Sequence, residues 1–374
     1  MMDKRILLGI DFIGANFPSA LYTIQQWWGY VTLGSKYDCI LGVSNFCNRN
    51  SPLPGARDLS PSKVREVLGC FIPKEKLAQW TSDIDSTLIQ TVEKEAFESK
   101  PFFSEFNYGS VVNRLLLLAY SRDCDYLVRI DPGTIPPKDK PFADLMAEHE
   151  SAIGGQINTV VSRRYADRLA LRDMFVKVEK ENSHAELVKK YTGIDVHAQI
   201  TGGAMLTLRS PGTPAICFPT GAGLTLVWAS DDGIYQVLPD TRTKSRMLPD
   251  YPVQRFDAVG KPKKSTEYYR GIIGAVYFNA LRNGKTLNVA EQDAEQFLQK
   301  LKADILDAEK CSLMDADPHW ATTFCLENIA PRSFLEAIAA GHANYVRLLK
   351  EWKRICDTLK SLIVRETRNA VSVY

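Results

Sequence analysis

The run Gly109-Ser110-Val111-Val112-Asn113-Arg114-Leu115-Leu116-Leu117-Leu118-Ala119-Tyr120, with Asp125-Tyr126-Leu127-Val128-Arg129-Ile130-Asp131-Pro132-Gly133-Thr134 close behind it, decides the fold. Residues 110–121 are apolar on nearly every side, the signature of a buried helix. Only Asn113 and Arg114 interrupt it, near its N-terminal end. Tyr126 to Ile130 reads as a short strand. A buried helix feeding a short strand is a unit of an α/β sheet. That strand stops at Asp131, and ligands of open α/β sheets sit outside the carboxyl ends of the strands. A carboxylate there can hold a divalent metal or a ribose hydroxyl. Asp131-Pro132-Gly133-Thr134 also spells a turn, with Asp, Pro and Gly each in a favoured place. On these four residues alone the turn is the commoner reading, and a binding carboxylate can sit on such a turn.

Working outward, Arg5 to Ile10 is a strand candidate closed by Asp11. Pro18 opens a helix from Ser19 to Tyr30, at a position where its missing N–H costs little. Cys39 to Val43 is a second strand, followed by a polar loop from Ser44 to Asn50. This β–α–β order predicts a parallel sheet with a crossover helix. Pro52, Pro54 and Gly55 mark a loop, and helical periodicity returns in residues 64–68 and 84–97. Further on, Ser151 to Val161 reads as a strand region with two glycines, and Lys177 to Thr192 as a charged helix. From Ala290 onward the pattern is mostly helical, punctuated by Pro318 and Pro331. The expected organisation is a catalytic and binding α/β domain over 1–240, a basic loop or linker over 241–289 and a helical region over 290–374.

Composition bounds the class. The chain has 374 residues, 45% hydrophobic and 24% charged, which is ordinary for a globular protein and excludes disorder or collagen-like repeats. With 46 Lys+Arg against 44 Asp+Glu, the formal charge is +2, so net charge gives no reason to expect a polyanion partner. None of the eight cysteines forms a CxxC pair, which argues against a zinc ribbon or a thioredoxin-like site. They read as reduced core residues of a cytoplasmic protein. No stretch approaches the roughly 20 apolar residues that span a bilayer.

The segments from Gly109 through Asn113 and Arg114 to Asp131 resemble the core of GT-A fold glycosyltransferases, in particular glycosyltransferase family 2-like enzymes. The resemblance covers roughly residues 5–240 and is one of motif order rather than near identity. It implies a GT-A-like (Rossmann-like) mixed, mostly parallel sheet flanked by helices, with the helical C-terminal region appended. It also implies that Gly109, Asn113 and Arg114 lie near a nucleotide, and that Asp131 belongs to an Asp-x-Asp motif holding Mn or Mg against the diphosphate of a nucleotide-sugar. Two later segments fall in the family's order. Thr201-Gly202-Gly203-Ala204-Met205 matches the glycine-containing segment beside the acceptor. Ser230-Asp231-Asp232-Gly233 matches the acidic pair that supplies the base in inverting enzymes. Asp11, or the loop at Ser44 and Asn45, matches the polar group offered to base and ribose. One departure stands out: Gly133 replaces the second acid. Either Asp131 alone holds the metal, with diphosphate and water completing its shell, or a cation such as Arg114 or Arg129 neutralises the diphosphate.

Other segments carry chemistry by composition. A paired carboxylate at Asp231-Asp232 suits a general base, because like charges raise the pKa of one member. The same residues behind Ser230 also read as a capped helix start. Asp315-Ala316-Asp317-Pro318-His319 reads chiefly as a helix–helix turn. Its functional reading is a further metal ligand at His319, while His342 is expected to be merely solvated or packed. The basic stretch from Arg242 to Arg270, with Tyr251, Tyr268 and Tyr269, suits phosphate or nucleic-acid contact, or a plain solvated loop. The leading expectation is transfer of a hexosyl or pentosyl group to an acceptor hydroxyl of a glycan, a small molecule or modified DNA. The alternatives are a DNA-directed enzyme or binder and a nucleotidyltransferase. Gly9 to Ala15 is a poor triphosphate loop for the last of these, since it lacks a basic residue.

Overall fold

The computed structural model describes residues 4–13, 16–34, 36–46, 59–80, 108–138, 140–153, 158–161, 204–208, 244–247, 254–255, 265–307 and 325–371. Its centre is a seven-stranded sheet in the order β3-β2-β1-β4-β7-β6-β8. The strands are β1 (Arg5–Ile13), β2 (Asp38–Phe46), β3 (Leu77–Gln79), β4 (Tyr126–Ile130), β6 (Asn158–Val161), β7 (Ala204–Leu208) and β8 (Lys244–Met247). β3, β2, β1 and β4 are mutually parallel. β7 pairs antiparallel with both β4 and β6, and β8 is parallel to β6, so β7 alone runs in reverse. A second, two-stranded sheet joins β5 (Thr134–Ile135) to β9 (Gln254–Arg255). This is the mixed, mostly parallel sheet flanked by helices that the resemblance implies.

Period-two alternation splits β1, β2 and β4 between two apolar layers. Ile6, Leu8, Ile10, Leu41, Val43, Val128 and Ile130 face α1 (Phe17–Thr32), α2 (Pro61–Leu68) and α4 (Phe142–Ile153). Leu7, Ile40 and Leu127 face α3 (Tyr108–Ser121), whose Leu115 to Ala119 are all buried, as the uniformly apolar run requires. Gly9 and Gly42 allow this layer to close: a Cβ on Gly9 would lie 2.7 Å from Leu127 Cδ1, and one on Gly42 2.7 Å from Leu7 Cδ2.

The C-terminal helices are α5 (Ser265–Arg282), α6 (Leu287–Asp307), the single-turn α7 (Leu326–Ile329) and the long α8 (Arg332–Val371). α8 caps the α3 layer with Leu348, Trp352, Ile355, Cys356 and Leu359. Tyr120 donates to Asp357 at 2.6 Å, and Lys360 pairs with Asp123. α8 therefore packs over the α3 layer on one face of the sheet.

Several expectations need correction. β1 continues through Asp11 to Ile13, and β2 through Ser44 and Asn45 to Phe46, where a strand end and a loop were expected. The helix expected over 110–121 begins two residues earlier, so Gly109 lies inside the first turn of α3. Ser151 to Ile153 finish α4, so only Asn158–Val161 of that region is strand. The stretch 241–289, read as a basic linker, carries β8, β9 and the whole of α5. Cys70 is exposed rather than in the core. The helices expected at 84–97 and 177–192 lie outside the described residues. Among those residues, no helix is long and apolar enough to cross a membrane.

Candidate functional site

The strand order places β1 between β2 on one side and β4 on the other. The chain leaves β1 towards β2 and β3, then crosses back to β4. The crevice outside the carboxyl ends of β1 and β4 is thus the topological switch point, where open α/β sheets bind ligands. Asp11 stands near the end of β1, opposite Ser44 of β2, and Arg129 of β4 stands opposite Gly9. Alternation puts Asp11, Ser44 and Arg129 on the α3 face of the sheet. Asp131 follows β4 directly. β7 enters beside the same end, because Ala204 is the partner of Ile130.

The charges at this point form a triad. Arg129 Nε lies 3.5 Å from Asp11 Oδ1, and Nη2 lies 3.6 Å from Asp131 Oδ1. Arg129 is almost wholly buried, whereas the Asp131 side chain keeps 23% exposure. The guanidinium fork can address two carboxylates at once, which a lysine cannot match. Beside it, Ser44 Oγ is buried and has no hydrogen-bond partner among the described residues. A buried hydroxyl next to a cleft carboxylate is a group awaiting a polar ligand.

The turn beneath Asp131 is held from α1. Thr23 Oγ1 accepts from the N–H of Gly133 at 2.9 Å and from that of Thr134 at 3.2 Å. Thr134 Oγ1 donates to the carbonyl of Asp131 at 2.7 Å and lies 3.3 Å from the donating Trp27 Nε1. Gly133 has φ +86°, a left-handed conformation that glycine adopts at no steric cost.

Asp11, Arg129 and Asp131 are thus brought together, and Arg129 emerges as their link rather than as a diphosphate neutraliser alone. Asn113 is fully buried in α3, and Arg114, also buried, has its guanidinium carbon 5.7 Å from the Trp80 ring centroid. α3 precedes β4 and packs along the sheet, so its N-terminal end lies toward the carboxyl edge. Asn45 pairs in register with Phe12, one step beyond Asp11. Asp231, Asp232, Gly202, Gly203 and His319 lie outside the described residues. Asp123 to Asp125 lie in the connection between α3 and β4, and Asp125 Oδ2 accepts from Arg5 N at 2.8 Å. His342 packs edge-on against Phe278, ring centroids 5.3 Å apart, and burial and then Arg282 hold its pKa below the usual value. Burial pushes the Cys39 thiol up to about 12, so it is no nucleophile at neutral pH. In sequence Thr134 reads only as part of the turn; Thr23 and Trp27 carry no motif, and sequence reasoning missed them. Their one trace is a Thr and a Trp four residues apart on a buried helix face.

Among the described residues, no three His, Cys, Asp or Glu side chains converge on a metal position. Asp131 by itself fits the looser mode, in which one or two carboxylates hold Mg²⁺ or a similar ion and substrate phosphates and water complete the shell.

No known family model matches this chain, and no curated protein matches it. Among solved structures it is similar to a mannosyltransferase from Pyrobaculum calidifontis in complex with GDP-Man and Mn²⁺, at 14% identity and TM-score 0.44 over 92% of this chain and 88% of that one. It is also similar to glucosyl-3-phosphoglycerate synthase from Mycobacterium tuberculosis, in complex with Mn²⁺, UDP and phosphoglyceric acid, at 13% identity and TM-score 0.38 over 76% and 80% of the two chains.

Proposed function

We propose that the chain is a nucleotide-sugar-dependent glycosyltransferase that moves a hexosyl or pentosyl group onto an acceptor hydroxyl. The observation that carries this reading is the convergence of Asp11, Ser44, Arg129 and Asp131 at the switch point of a GT-A-like sheet. In this reading Asp11 and Ser44 receive the nucleoside, the buried Ser44 hydroxyl gaining a partner that no described residue supplies. Arg129 holds the two carboxylates in place. Asp131 would hold a divalent cation, Mn²⁺ or Mg²⁺, which supplies counter-charge to the departing diphosphate. The acceptor oxygen forms its bond to the anomeric carbon as the bond to the diphosphate breaks, and a carboxylate takes the hydroxyl proton. On the sequence reading, Asp231 or Asp232 is that base, and Gly202 and Gly203 flank the acceptor.

The test is thermal stability against a panel of nucleoside diphosphates and nucleotide-sugars, with and without Mn²⁺. A ligand present at about 100 times its dissociation constant stabilises the native state by roughly 2.7 kcal/mol. A shift with one nucleotide, lost in Asp131→Ala, is the expected result. Silence across the panel from a folded chain defeats the reading. Pyrophosphate release from a nucleoside triphosphate would redirect it to nucleotidyl transfer, and a salt-dependent mobility shift with duplex DNA to a nucleic-acid partner.

A further inference from the structure

We propose that Thr23 is a positioning residue: through the Asp131–Thr134 turn it presets the single carboxylate on which donor and cation depend. The proposal rests on the donor-site reading above and explains how one acid serves where the family pattern has two.

Thr23 lies on α1, far from Asp131 in sequence, and is fully buried. Its hydroxyl oxygen accepts two consecutive backbone N–H groups, those of Gly133 and Thr134. The buried Thr134 hydroxyl then closes the turn onto the carbonyl of Asp131 itself and takes the indole N–H of Trp27. Every link is buried or half-buried, so water cannot easily replace a lost partner. The turn therefore cannot swing outward without breaking both N–H bonds to Thr23 and orphaning the Trp27 indole donor on α1's side. Gly133 occupies the place of the second acid, but its φ of +86° and its N–H directed to Thr23 commit that position to the latch. Asp131 is left as the one carboxylate of the turn, partly open to solvent, fixed from below through Thr23 and from the side by Arg129. A site built from one acid gains most from such fixing, because the entropy of ordering its ligand is spent during folding rather than on binding.

The experiment compares Thr23→Val, which keeps the shape and removes the acceptor, with Thr23→Ser, which keeps the acceptor. Mn²⁺ binding to the full chain is titrated by electron paramagnetic resonance in the presence of saturating GDP or UDP. Amide exchange at Gly133 and Thr134 is followed in parallel. T23V is expected to raise the Mn²⁺ half-saturation concentration about tenfold, equivalent to ~1.4 kcal/mol, and to speed exchange at both amides. T23S is expected to stay within about twofold of the parent. A general loss of stability would not produce that split. If T23V fails to fold, Trp27→Phe removes only the indole donor to Thr134 and is expected to weaken Mn²⁺ binding about threefold. A folded T23V, or W27F in its place, with parental Mn²⁺ binding overturns the role of Thr23 and leaves the donor site standing. A parent chain that binds neither nucleotide with Mn²⁺ overturns the donor site and this role with it.

Discussion

Removing the guanidinium from the triad is the sharpest perturbation the structure offers. In Arg129→Met the side chain keeps its apolar stem, while Asp11 and Asp131 lose the cation that lies 3.5 Å and 3.6 Å from them. At an effective dielectric of about 20, unit charges at these separations attract by roughly 4–5 kcal/mol each. Desolvation of the guanidinium, whose side chain is only 6% exposed, offsets much of that gain. What remains after losing one partner of a buried ionic group is about 3–5 kcal/mol. The Asp131 side chain keeps 23% exposure, so water screens part of the loss and the lower end, near ~3 kcal/mol, is the expectation. Chemical denaturation measures it as a change in midpoint at constant slope.

Asp11→Asn turns this into a double-mutant cycle. Removing the facing charge as well relieves the uncompensated anion, so D11N/R129M should be more stable than the two single losses predict, by about 1–3 kcal/mol. The reasoning is refuted if R129M costs less than about 1 kcal/mol, or if the two losses add to within about 0.5 kcal/mol. Either result would mean that Arg129 does not join the two acids, and the case for a preorganised donor site would go with it.

Two further perturbations test the scaffold. Asp38 accepts from Arg5 Nε at 2.7 Å and from Lys76, and these contacts, that of Lys76 first, hold its carboxyl below the usual 3.8. A depressed folded value gives stability that is present above the unfolded pKa and lost as pH falls through the folded one. Asp38→Asn should therefore be less stable than the parent at neutral pH, and the gap should close below about pH 3.8, as read by denaturation across pH. Gly42→Ala would place a Cβ 2.7–2.8 Å from Leu7 Cδ2 and Cγ; overpacking of that kind costs about 1–3 kcal/mol and should lower the melting temperature without changing secondary structure.

How far the sequence could be read depended on whether the deciding contacts were local. The helix–strand unit at 110–130 was legible because its apolar pattern is its burial pattern: Leu115 to Ala119 all lie in the core. The ends of β1 and β2 were not, because Asp11 and Ser44 look like the start of loops. The β-ladder in fact continues through them, Asp11 opposite Ser44 and Ile13 opposite Phe46. A sheet edge that serves a ligand keeps its strand pairing while its side chains turn polar, and this hides the edge from a hydropathy pattern. α5 was missed for a related reason. Its first turns, Ser265 to Arg270, are polar and basic in sequence, and its apolar residues gather only from Ile272 onward, with Ile273, Val276 and Phe278 in the core.

The departure at Gly133 shows where motif reading stops. As letters, Asp131-Pro132-Gly133-Thr134 offered a choice between a ligand motif that had lost an acid and an ordinary turn. The turn is present in the structure, and in the reading proposed above it is the means by which the remaining acid is held. Gly133 supplies the positive φ, its N–H reaches Thr23, and Thr134 returns a hydroxyl to the carbonyl of Asp131. Restoring an acid by Gly133→Asp would therefore not rebuild a two-carboxylate site. The new side chain would have to adopt a left-handed backbone, at a cost of roughly 1–2 kcal/mol, or break the bond to Thr23 and release Asp131. The expected outcome is weaker Mn²⁺ binding in G133D than in the parent, measured with GDP or UDP present. A gain in affinity would show that the turn tolerates the acid, and that the latch on α1 does not govern where Asp131 stands.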